Sequence, residues 1–239
     1  MSEPIRIDPG GDAEAQLWRA AAEVARLFAD WPWVLVGGLM VAILEREHRV
    51  AVSRATVDVD ALIDVRAVTR ATREAALRLE RAGFVAEQTA DGLAYRFVRG
   101  PDIVDVLAPD HLGRRTDIVT APPGKTIAAI GGRQALDRRR LVVVDVAGES
   151  FSIPVPSLLG AIIIKARVCA SSALPKHRRD LARLLALVGD VDAVRREMSP
   201  NERKYLRARS ELRNQHHPAW RGILGSQDAI IALERLSEA

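Results

Sequence analysis

The chain has 239 residues, 48% hydrophobic but only 4% aromatic, with a formal net charge of +4; such a chain can bury a sizeable aliphatic core and is not of disordered composition. Its single cysteine, Cys169, excludes an intramolecular disulfide and a thiolate zinc cluster, and its five histidines (His48, His111, His177, His216, His217) show neither HxxxH nor HExxH spacing. The mild basicity permits nucleic-acid contact without demanding it, while the acidic start and the lack of a long apolar run predict a soluble, cytoplasmic protein with no membrane partner.

Residues 12–30 carry Leu17, Ala21, Val24, Leu27 and Phe28 at helical spacing, with Asp12 as N-cap and Pro32 as a stop. Trp33-Val-Leu-Val36 reads as a short buried strand ending on Gly37-Gly38, and Leu39 to Glu47 as a helix. A strand follows over 56–63, then an amphipathic helix from Val68 to Ala82 with Gly83 as C-cap. Segments 84–88 and 93–98 read as a hairpin around Asp91-Gly92, and Ile103 to Leu107 as a strand that stops at Pro109. A loop runs to about Gly124; Gly124-Lys125-Thr126 lacks the first glycine and the leading strand of a P-loop. Gly131-Gly132 reads as a turn or break before Arg133–Arg140, and 141–146 with 151–155 as a second hairpin turning at Gly148. Beyond Pro156 the pattern is helical only, over 156–170, 175–188, about 200–213 and 226–237. The expected class is α/β (α+β): a small mixed-sheet domain over 1–155, then a helical bundle over 156–239.

The acids in these strands carry the chemistry. In Thr56-Val-Asp-Val-Asp-Ala-Leu-Ile63, Asp58 and Asp60 project from one face, roughly 6.5–7 Å apart at Cα, while Val57 and Val59 are expected to face a core. Like charges so placed call for a cation, and oxygen-only donors suit Mg²⁺. Asp105, between Val104 and Val106, is the best third acid; Asp102 sits at the strand entrance, and Asp64 is either a fourth acid or a surface residue. Gly37-Gly38, between strand and helix, leaves backbone N–H groups free to approach a phosphate.

The conjunction Val36-Gly37-Gly38-Leu39, Asp58-Val59-Asp60 and Val104-Asp105-Val106 resembles the DNA polymerase β-like nucleotidyltransferase superfamily. The resemblance implies that Gly37 and Gly38 hold a nucleoside triphosphate, that Asp58, Asp60 and Asp105 bind two Mg²⁺ ions, and that Asp105 serves the ion activating the attacking hydroxyl. Arg54 and Thr56 precede the acidic pair, as a basic and a hydroxyl residue often do there, and count as nucleotide-binding candidates. Further on, Lys165 lies on the apolar stripe of Ala161, Ile162, Val168 and Cys169, and Lys176-His177-Arg178-Arg179-Asp180 opens the next helix. This looks like the AbiEii-like branch that includes the MenT toxins. By that likeness Lys165 contacts the nucleotide phosphates and Asp180 orients it; Arg183 stands where the branch often has a further acid. The implied acceptor is the tRNA 3′ end and the implied partner a cognate antitoxin. A small-molecule or protein hydroxyl as acceptor, and a catalytically silent nucleotide-binding module, stay open as alternatives. Lys176, Arg179 and Arg183 are expected to line one helix face that could meet a phosphate backbone.

Overall fold

The computed structural model describes residues 3–51, 56–113 and 116–238. The chain is a mixed α/β protein. A short strand β1 (Ile5–Ile7) leads into helix α1 (Asp12–Leu27), whose Leu17, Trp18, Ala21, Val24 and Ala25 form the buried face the periodicity predicts. Its N-cap is Gly11 rather than Asp12, which stands inside the first turn, where a carboxylate favours the helix dipole. Strand β2 (Trp33–Val36) is buried along its whole length. Helix α2 (Gly37–Glu47) starts at once, so the glycine pair lies within its first turn instead of in a separate loop.

β3 (Val59–Ile63), β4 (Val85–Glu87), β5 (Arg96–Arg99) and β6 (Asp102–Pro109) complete the principal sheet, with helix α3 (Ala71–Arg81) between β3 and β4 in the chain. Its order is β2-β3-β6-β5-β4, with β7 (Ala128–Ala129) pairing the end of β6. β3 and β6 run parallel at the centre; β2 and β5 flank them antiparallel. β5 and β6 form a tight hairpin around Gly100-Pro101, whereas β4 and β5 are joined by a longer connection. The strand expected from residue 93 begins at 96, because the Ala94 N–H bonds the Lys125 carbonyl (2.8 Å) instead of β4.

Gly131 lies in the expected turn and caps a short helix α4 (Gly132–Asp137) from a left-handed φ of 85°. β8 (Arg139–Val146) and β9 (Glu149–Pro156) form the second hairpin, and β1 adds to β8 as a third strand. Its two-residue turn has Ala147 at φ 52° and Gly148 at φ 86°, the positive pair that matches strand twist. β9 packs beside β2, bringing the two sheets together.

The remaining elements are helical. α5 (Leu158–Ser171) is buried on nearly every side, including Ile162, Ile163 and Ile164, and is capped by Ser157, whose hydroxyl accepts from the Gly160 N–H. α6 (Pro175–Ala186) and α8 (Pro200–Arg207) pack against α5, and α9 (Ser226–Ser237) packs against both of them and against α7 (Val191–Glu197). α7, absent from the expected elements, is a two-turn helix capped by Asp190 with no buried residue, so its apolar period is faint. α8 ends at Arg207, and Ser210–Arg213 is a separate 3-10 turn, not a continuation to 213. Glu202 closes a capping box on Ser199 at the start of α8 and is buried against Arg138 (2.7 Å), tying this helix to the α4–β8 junction. Among the described residues no helix is long and apolar enough to cross a membrane.

Candidate active site

Register assembles the site. Val36 on β2 stands opposite Asp60 on β3, Asp60 opposite Asp105 on β6, and Asp105 opposite Arg96 on β5. Residues directly opposite share a face of the sheet, so one transverse row reads Val36, Asp60, Asp105, Arg96. Val59, Val104 and Val106 are fully buried on the other face, which fixes the phase of the row. Asp58 lies just before β3. One oxygen from each of Asp58, Asp60 and Asp105 lies within 4.8 Å of the others, a spacing that could hold a metal ion. Val57 departs from expectation: it precedes the strand and is 67% exposed rather than turned into the core.

The three carboxylates differ in their partners. Asp58 Oδ1 accepts from the Thr56 hydroxyl (2.9 Å). Asp105 is buried and takes a two-pronged bond from Arg96, Nε to Oδ1 and Nη2 to Oδ2, both 2.8 Å; Nη2 also lies 3.8 Å from Asp58 Oδ2. Asp60 has no hydrogen-bond or ion-pair partner among the described residues. Its pKa is raised to about 7, first by desolvation, then by the charges of Asp58 and Asp105; Lys165 and Lys176 act in the opposite direction. Asp60 keeps some accessible surface, but protein surrounds it closely enough for desolvation to lead.

Gly37 sits at φ +73°, and a Cβ built there would lie 2.5 Å from Asp60 Cγ and nearer still to Oδ2. Only glycine lets α2 begin this close to the carboxylate. Gly38 follows in the same turn, half-buried. Thr56 is half-buried beside Asp58 and also borders a cavity of about 880 Å³ between α1 and α2, lined by Leu17, Trp18 and Leu39. Of the charged groups of that cavity, Arg46 is engaged with Glu14 (2.6 Å) and Asp102 with Gln16 (2.8 Å). Arg54 lies outside the described residues.

Lys165 and Asp180 meet as a buried ion pair, Nζ to Oδ2 2.7 Å. Lys165 does not snorkel to water; α6 covers it. Lys176, in the first turn of α6, is exposed, while Arg179 is half-buried and donates to the Arg221 carbonyl (3.5 Å). Arg183 corrects the expected basic face. One turn after Asp180 it shares the inward side of α6, where it is buried against Glu45 of α2 (3.2 Å). Asp64, at the end of β3, is gripped by Arg66 (2.9 Å), and Asp102 by Gln16 and Arg99 (3.1 Å); neither joins the acidic trio. Gly124-Lys125-Thr126 bridges Leu93 and Val119 and opens no helix.

Arg96 is the site residue the sequence reading passed over. Arg96 and Asp105 are equidistant from the two-residue turn Gly100-Pro101, and Arg99 and Asp102 repeat the pairing three positions further in, next to the turn. A hairpin centred there, with opposite charges facing each other, would have exposed both pairs.

The chain matches no family model, and no curated protein matches it in sequence.

Proposed function

We propose that the chain is a Mg²⁺-dependent nucleotidyltransferase, which moves a nucleoside monophosphate from a nucleoside triphosphate to an acceptor hydroxyl with pyrophosphate leaving. The observation carrying this reading is the convergence of Asp58, Asp60 and Asp105 within 4.8 Å next to the close approach of Gly37. The donor set fits a hard divalent cation, being all carboxylate oxygen with one member, Asp60, unpartnered and repelled by its neighbours. When bound, Mg²⁺ would supply Lewis-acid stabilisation of the charge that develops on phosphoryl oxygens.

The chain's own residues do the rest. Asp58 and Asp60 would hold the ion, and the Thr56 hydroxyl fixes the rotation of the Asp58 carboxylate. The start of α2 offers N–H groups and a positive dipole end to a phosphate. Lys165, oriented by Asp180, and Lys176 contribute positive potential at the acids and would do the same for a triphosphate. No covalent intermediate is needed, since phosphoryl transfer rests on positioning and electrostatics.

The resemblance to the AbiEii and MenT-like branch supports the tRNA 3′ end as acceptor and a toxin role restrained by an antitoxin. The test offers each of the four labelled triphosphates with Mg²⁺ to total tRNA and, separately, to cell metabolites. Label on RNA that is lost in Asp58→Asn and Asp60→Asn supports the reading. Label only in a metabolite moves the acceptor to a small molecule, and tight nucleotide binding with no pyrophosphate from any acceptor leaves a silent binding module.

A further inference from the structure

We infer that Arg96 stands where a second cation would lie, so that the three carboxylates take one divalent ion, held by Asp58 and Asp60, while Asp105 is reserved by the guanidinium. This rests on the reading of the trio as a metal centre and departs from a two-ion site built on all three acids. Both oxygens of Asp105 are occupied at 2.8 Å by the planar fork of Arg96. The same Nη2 that binds Asp105 Oδ2 lies 3.8 Å from Asp58 Oδ2, so the guanidinium places its positive charge between these two acids.

Charge and geometry agree. Three ionised carboxylates are balanced by one guanidinium and one divalent ion, whereas a second divalent ion beside the guanidinium would be repelled by it as well as by Lys165 and Lys176. An arginine keeps its charge at every accessible pH, and a bidentate charge-assisted pair is among the strongest side-chain contacts. Cross-strand register places Arg96 directly opposite Asp105, so the fork is delivered by the sheet itself. Asp60, with no partner among the described residues, is the carboxylate left open to the ion.

The test counts Mn²⁺ bound to the full chain without nucleotide, by the paramagnetic resonance of free Mn²⁺, and locates it by anomalous scattering from soaked crystals. The inference expects one ion on the wild-type chain, between Asp58 and Asp60, with the Arg96 fork still on Asp105. Arg96→Lys keeps the charge and should also bind one. Arg96→Met, checked for folding by thermal unfolding, should bind two, the second on Asp105. A second Mn²⁺ on Asp105 of the wild-type chain with Arg96 swung away overturns the inference and leaves the metal centre standing. A single ion in Arg96→Met as well as in wild type overturns it too. No ion in any of the three removes the metal centre and the inference together. Should Arg96→Met fail to fold, the wild-type map and the Arg96→Lys count decide.

Discussion

Replacing Asp60 by asparagine should make the metal-free protein more stable, at the expense of the site. Asp60 has a pKa raised from 3.8 to about 7. Between these values the folded chain binds more protons than the unfolded one, so stability falls as pH rises through the window, and the full penalty stands above pH 7. At about 1.4 kcal/mol per decade of proton affinity, the upper bound is about 4 kcal/mol. Partial solvent access and the shared charge of Asp58 and Asp105 reduce this to the order of 2 kcal/mol. Asparagine keeps the shape and removes the charge. For a chain of this size about 2 kcal/mol corresponds to roughly 4–8 °C in Tm. The assay is thermal unfolding of both proteins in a chelator at pH 8 and at pH 5. The variant should gain most at pH 8 and much less at pH 5, where Asp60 of the wild type is mostly protonated. Added Mg²⁺ should then raise the wild-type Tm and leave the variant nearly unmoved. An Asp60→Asn protein less stable than wild type in chelator at pH 8 would refute the reasoning, because the carboxylate would then be held by attraction rather than penalised by burial and by the charges of Asp58 and Asp105.

Gly37→Ala forces an L side chain into a left-handed backbone and onto the Asp60 carboxylate; it should cost about 1–2 kcal/mol from the backbone alone and abolish Mg²⁺-induced stabilisation, read by calorimetry with and without the ion. Breaking the buried Lys165–Asp180 pair with Lys165→Met should destabilise by about 3–5 kcal/mol, measured by urea unfolding, and adding Asp180→Leu should recover much of the loss; if the single variant unfolds like wild type, the pair is not a structural tie. Because an ion at Asp60 competes with its proton, Mg²⁺ affinity should weaken below pH 7, by about tenfold per pH unit at most for one proton displaced; a flat titration between pH 5.5 and 8 would exclude Asp60 as a ligand.

The acids were legible because alternation in a strand is a local rule. Val59, Val104 and Val106 are buried as their parity demands, and that parity turns Asp60 and Asp105 to one face. Lys165 stood out because a lysine on an apolar stripe needs a partner, and Asp180 is that partner. Val57 broke the rule because alternation holds only where the ladder exists, and β3 begins at Val59. Arg183 was misread because one chain does not say which face of α6 is covered; its inward side is set by Glu45 on a helix more than a hundred residues earlier.

Sequence alone therefore determined which residues share a face of their own strand or helix, since those periods are properties of the local backbone. Tertiary structure decided which strands lie side by side, and so what each acid meets. Asp60 faces the turn at Gly37, and Asp105 faces Arg96, only because β3 pairs with β2 and β6 with β5. Pairing is a long-range choice made by burial of the whole sheet, and it sets which charges surround Asp60 and Asp105.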